Sequence, residues 1–185
     1  MRNLISTLAL AAAMAACGQP SATGPSEAQA QAAEAASAPA AGAEATAAER
    51  AAILAALGAR ASAAGQLENE CGEMVTPQFL AADLGPGVGR AIAFVMEGGP
   101  NTAACYGDGP LVQLMRFNNG AWSEIYRNRG GGLIILSTQH NGGNDLADGG
   151  PGFSFPVWEF NGGTYVNANR QVPDSALNDA RFLPN

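Results

Sequence analysis

His140-Asn141-Gly142-Gly143-Asn144-Asp145-Leu146-Ala147-Asp148-Gly149-Gly150-Pro151-Gly152 is the densest polar stretch after the N-terminal segment, and two chemistries could use it. An imidazole beside a carboxylate can orient and activate a nucleophile, so His140 with Asp145 or Asp148 is a candidate pair. The nucleophile is what is missing. Ser137 and Ser154 lie nearby in sequence, but neither stands in a Gly-x-Ser-x-Gly elbow. Alternatively, Asn141, Asn144, Asp145 and Asp148 offer hard oxygen ligands of the kind calcium prefers. Their spacing fits neither an EF-hand nor a nonapeptide calcium repeat. The preferred reading is a long connection whose Asn and Asp side chains cap their own turns. Long connections often carry function, so His140, Asn141, Asn144, Asp145 and Asp148 form the candidate binding loop. No cofactor is expected. The single histidine leaves zinc without a ligand set on sequence grounds.

A second candidate follows at once. Phe153-Ser154-Phe155-Pro156-Val157-Trp158-Glu159-Phe160 is apolar on both alternating faces. A strand buried on both sides would read this way. So would an exposed aromatic surface for a protein or glycan, built from Phe153, Phe155 and Trp158. Pro156 predicts an edge strand, because proline cannot donate to a sheet ladder.

These residues must be positioned by short strands. Ala91–Val95, Leu111–Met115 and Leu133–Leu136 are apolar runs bounded by Gly, Pro, Asn and Asp. No helical period of useful length competes after Met74. Phe117-Asn118-Asn119-Gly120-Ala121-Trp122 recurs as Phe160-Asn161-Gly162-Gly163-Thr164-Tyr165. Each copy predicts a β-hairpin with aromatics paired across its strands. Two copies cannot close a propeller. The fold class is therefore mainly β, a small antiparallel meander or sandwich with β-hairpins. One short helix should precede it over 46–65. Thr46 and Glu49 form a capping box, Ile53, Leu54 and Leu57 a narrow apolar stripe, and Gly65 a stop. So short a stripe predicts loose docking or a free-standing helix.

The N-terminal quarter is of another kind. After Cys17, residues up to 45 are Ala, Pro, Gln, Gly, Ser and Glu with one Thr, without a large apolar side chain, so 17–45 forms one segment. Such a segment cannot bury enough surface to offset its ordering entropy, so it predicts a disordered tether. Before it, Met1-Arg2-Asn3 leads an apolar run from Leu4 to Ala16, too short to span a bilayer. The run ends in Met14-Ala15-Ala16-Cys17.

That ending resembles the lipobox of bacterial lipoproteins. The resemblance implies a signal peptide over 1–16 and a lipid on Cys17, which anchors the chain in a bilayer. It further implies an envelope location facing the periplasm, and Gly18 after the cysteine favours the outer membrane. If Cys17 carries lipid, Cys71 and Cys105 remain as an even pair in an oxidising compartment. Their disulfide would close a loop of about 35 residues, worth roughly 3–4 kcal/mol.

Asp83-Leu84-Gly85-Pro86-Gly87-Val88-Gly89, followed by the apolar run from Ala91, resembles the calcium loop of FG-GAP-like repeats. Here glycine and proline stand where further carboxylates should be, and one carboxylate cannot satisfy calcium. The loop's shape is expected without its ion.

Charge narrows the partners. Nine Lys+Arg face sixteen Asp+Glu, and every basic residue is arginine. An acidic, lysine-free chain gives bulk charge no role in binding nucleic acid. Arg116, Arg127 and Arg129 are the one local basic cluster, expected as solvated strand ends. The expectation is a membrane-anchored lipoprotein with a non-enzymatic binding or structural role. Its partner would be an envelope protein or glycan. The alternatives are a lysozyme-inhibitor-type periplasmic inhibitor and, behind it, a hydrolase of envelope polymers.

Overall fold

The computed structural model describes residues 43–99, 105–107 and 109–184. The expected signal peptide, Cys17 and nearly all of the tether lie outside them. Among the described residues no helix is long and apolar enough to cross a membrane.

Two antiparallel sheets pack face to face. One has four strands in the order β3-β4-β5-β6: Gln78–Ala81, Ala91–Met96, Leu111–Asn118 and Ala121–Arg129. The other has five, in the order β10-β9-β8-β7-β11. Its members are β7 Leu133–His140, β8 Gly143–Asp148, β9 Ser154–Phe160, β10 Tyr165–Pro173 and β11 Arg181–Leu183. A two-stranded ribbon, β1 Leu67–Glu68 with β2 Met74–Val75, forms a third, separate sheet.

Period-two alternation explains the layers. On β4, Ala91, Ala93 and Val95 face the other sheet and meet Leu133, Leu146 and Phe160 there. The alternate residues Ile92, Phe94 and Met96 face outward into a second apolar cluster. All six residues of β4 are thus buried, which is why the strand reads as an unbroken apolar run.

The outward cluster is covered by helix α1, Ala47–Ala56. Its capping box forms as the sequence predicts. Thr46 Oγ1 accepts from the Glu49 N–H at 3.2 Å, and Glu49 Oε2 accepts from the Thr46 N–H at 2.8 Å. Two expectations need correction. The helix ends at Ala56, not near Gly65, because Gly58 adopts φ +68°. Its N–H reaches Ala55 O while that of Ala59 reaches Leu54 O, a Schellman closure. Nor does the helix dock loosely. Ile53 is fully buried, and Arg90, just before β4, donates to Glu49 Oε1 at 3.0 Å and Oε2 at 3.1 Å. Arg90 also donates to the carbonyls of Ala43 and Glu44. Residues 43–45, the last assigned to the tether, are therefore held against the domain.

Both repeats are hairpins, one in each sheet. Phe117 opposes Trp122 across the Asn119-Gly120 turn, and Phe160 opposes Tyr165 across Asn161–Thr164. The ring centroids stand 5.4 and 5.3 Å apart. Thr164 Oγ1 of one hairpin donates to Ile125 O of the other at 2.6 Å. Cys71 and Cys105 lie at disulfide distance, with Cα atoms 5.6 Å apart.

Candidate functional site

The polar stretch around His140 is not a long loop. It is a third hairpin, in which His140 pairs with Gly143 and the turn is Asn141-Gly142. Both turn residues have positive φ, +50° and +74°, the geometry of a two-residue primed turn. The candidate residues scatter accordingly. Asn141 Nδ2 donates to Phe160 O at 2.8 Å and ties the turn to β9. Asn144 Nδ2 donates to Leu136 O at 2.7 Å inside the sheet. Asp148 faces the inter-sheet core, where it accepts from Tyr126 Oη and from Trp158 Nε1. Burial pushes the Asp148 carboxyl up, and the Trp158 hydrogen bond only partly offsets it. These three side chains are committed to architecture.

His140 and Asp145 do come together, on the outer face of the five-stranded sheet. His140 Nδ1 lies 2.7 Å from Asp145 Oδ1. Asp145 is fully buried, and its Oδ2 accepts from Thr138 Oγ1 at 2.6 Å and Arg170 Nη2 at 2.8 Å. Arg170 Nε also donates to Glu159 Oε1 at 3.1 Å. That oxygen stands 3.6 Å from His140 Nε2. A row of four groups thus crosses four adjacent strands: Arg170 on β10, Glu159 on β9, Asp145 on β8 and His140 on β7.

Two bulges build the row. On β7 the register slips so that Leu136, Ser137 and Thr138 oppose Asp145 alone. On β10, Ala168, Asn169 and Arg170 oppose Val157 alone, with Asn169 at φ +54°. Extra residues re-aim side chains. Here Thr138 and Arg170, one from each bulge, both reach Asp145.

Glu159, Arg170 and Thr138 were not in the predicted site. A charged Glu159 in an otherwise aromatic strand was the available signal for one of them. Arg170 and Thr138 depend on bulges, which no local pattern announces.

The aromatic surface does not assemble. Phe155 is buried, Trp158 packs on the inter-sheet core beside Tyr126, and only Phe153 is exposed, at 85 %. Nor is β9 an edge strand, since it lies between β10 and β8. Pro156 is tolerated because the β8 ladder covers only Val157 and Trp158.

The Asp83 loop is held as a structural part. Leu84 and Val88 are buried, Leu84 O accepts from Asn144 N at 2.7 Å, and Gly87 N donates to Gly142 O at 2.8 Å. Asp83 faces Arg181 at 3.7 Å. The expected basic cluster is dispersed as well. Arg127 pairs with Glu124 and Arg129 with Glu70. Arg116 donates to the carbonyls of Gly87, Val88 and Gly162, binding the Asp83 loop to the second hairpin.

Chemically, the row is an imidazole oriented by a buried carboxylate, flanked by a second carboxylate and a guanidinium. Thr138 spends its hydroxyl proton on Asp145, so it is not aimed at the imidazole. Among the described residues, no serine, threonine or cysteine is hydrogen-bonded to His140. No protein-family model, no curated protein and no solved structure matches this chain.

Proposed function

We propose that the chain is an envelope lipoprotein, anchored through Cys17, whose β domain binds a periplasmic partner without catalysing a reaction. The observation that carries this reading is the polar row on the five-stranded sheet. His140, Glu159 and Arg170 are partly exposed, at 46 %, 28 % and 40 % of their side chains. Buried Asp145 holds the imidazole and the guanidinium from beneath. A surface of both charge signs, fixed before a partner arrives, loses little entropy on binding. Anchoring would favour such a module by raising its effective concentration toward partners in the same envelope. The opening sequence Met14-Ala15-Ala16-Cys17 supports the anchor, and the Cys71–Cys105 pair suits an oxidising compartment.

The test is a crosslinking capture from intact envelopes with the lipidated chain, a Cys17→Ser version and an Arg170→Ala version. The expected result is a partner captured by the lipidated chain and lost or much reduced in both variants. A partner retained by Arg170→Ala moves the binding face elsewhere. Capture of nothing by any version overturns the reading.

A further inference from the structure

The four-residue row has a chemistry that its ion pairs do not exhaust. Asp145 takes up the Nδ1 side of His140, and the tautomer that donates to this carboxylate is the one whose Nε2 lone pair can bind a metal. Nε2 stands 3.6 Å from Glu159 Oε1, too far for a hydrogen bond. The gap is of the right size for something else. Two ligands about 2.1 Å from a tetrahedral ion stand roughly 3.4 Å apart. The ligand atoms of His140, Asp145 and Glu159 all lie within 4.8 Å of one another.

We propose that His140 Nε2 and the Glu159 carboxylate ligate a divalent cation of the zinc class, with Asp145 as the residue that positions the imidazole. The arrangement of a buried carboxylate on the far ring nitrogen is the one by which proteins fix a metal-binding histidine and raise its basicity. The charge balance also suits a cation. Two carboxylates face one guanidinium, leaving one negative charge in surplus beside the imidazole. A nitrogen ligand selects against calcium and magnesium, which take oxygen. Arg170 bonds Glu159 Oε1 along one lone pair and leaves the carboxylate's others for the ion. Because the two protein ligands are partly exposed, the remaining coordination positions open to water or to a ligand brought by another molecule. The inference stands apart from the binding role above: either can fail without the other.

The test uses the full chain in detergent with its Cys71–Cys105 pair oxidised, titrated with zinc chloride by calorimetry. The same samples are followed by nitrogen NMR of the imidazole. His140 is the single histidine, so its two ring nitrogens report without ambiguity. The expected result is saturable binding of one ion per chain, with the Nε2 resonance displaced and Nδ1 still protonated. His140→Ala and Glu159→Gln should each abolish it. Asp145→Asn should weaken it about 10–100-fold. No saturable binding, displacement of Nδ1 in place of Nε2, or loss in only one of the two ligand variants overturns the proposal. Thermal unfolding of each variant without zinc separates loss of the site from loss of the fold.

Discussion

The two sheets each carry an arginine–carboxylate network on their outer face, and the networks differ in what covers them. On the four-stranded sheet, α1 lays its own Glu49 on Arg90, the residue before β4, and the Arg90 and Glu49 side chains are only 3 % and 9 % exposed. On the five-stranded sheet, a short 3₁₀ turn at Asp174–Ala176 precedes Leu177, which joins an apolar cluster with Ile134, Phe155 and Val157. The neighbouring Arg170, Glu159 and His140 are left partly open to water. The same chemistry therefore serves two ends. Sealed, the pair pins the segment leading into α1 against the domain. Open, it leaves one carboxylate and one ring nitrogen available.

The largest expected effect comes from breaking the sealed network. Arg90→Ala would leave the Glu49 carboxylate buried without its partner and release the Ala43 and Glu44 carbonyls. Removing one member of a buried pair costs roughly 3–5 kcal/mol. Denaturant titration should register that loss. Replacing both partners by apolar residues, Arg90→Met with Glu49→Leu, should recover much of it. If Arg90→Ala cost no more than a surface change, α1 would not act as a lid on that sheet.

A smaller effect tests what holds the open face in place. Gly87 sits against the Asn141-Gly142 turn, and a Cβ there would meet Asn141 O at 2.2 Å. Backbone cannot yield as a flexible side chain can, so Gly87→Ala should cost about 1–3 kcal/mol by overpacking. It should also displace the turn that follows His140. Chemical shifts of His140 and Gly143 would move, while those of α1 stay put.

Much of this was legible in the sequence, and the failures have physical causes. Thr46 and Glu49 announced the capping box, and the two Phe-Asn repeats announced hairpins, because both signals are local. The Asn141-Gly142 hairpin carries the same Asn-Gly signal, but its surroundings point to a connection. Its flanks, His140, Asn144 and Asp145, are polar, whereas a strand flank normally shows at least one apolar face. Those polar residues are tolerated in strands because Leu136 O takes up Asn144 and three donors surround Asp145. Each of those partners depends on strand pairing or a bulge. The aromatic stretch misled for the converse reason. Both of its faces are apolar because both are packed, Val157 on the outer cluster and Phe160 on the inner one.

Acid sharpens the contrast between a compensated and an uncompensated buried carboxyl. Burial alone would raise Glu49, but hydrogen bonds from Arg90 and Thr46 outweigh it and hold the group below 4.5. Its stabilising contribution is present above that value and is lost as pH falls through the lower folded value. Asp148 is the opposite case. Burial holds it above 3.8, so the native state is relatively favoured below that value, and the advantage is lost as pH rises through the folded value. Stability measured against pH over roughly pH 2–6 should therefore lose its acid slope in Glu49→Gln and become steeper there in Asp148→Asn. Parallel profiles for the two variants would contradict the assignment of opposite shifts.

The smallest effect belongs to Phe153, the one residue of the expected aromatic surface that is exposed. Only its backbone is engaged, its carbonyl accepting from Asp174 N at 2.9 Å. Burial is what would give the ring a share in stability, and at 85 % exposure it has almost none. Phe153→Ser should thus shift stability by no more than about 0.5 kcal/mol. Phe155→Ser, two residues on and buried in the cluster with Val157 and Leu177, should cost several times as much. The pair of measurements asks whether this segment was built as a recognition surface or as core. A large cost at Phe155 with none at Phe153 answers core. If Phe153→Ser instead removed partner capture while leaving stability intact, the binding face would extend from the charged row to the start of β9.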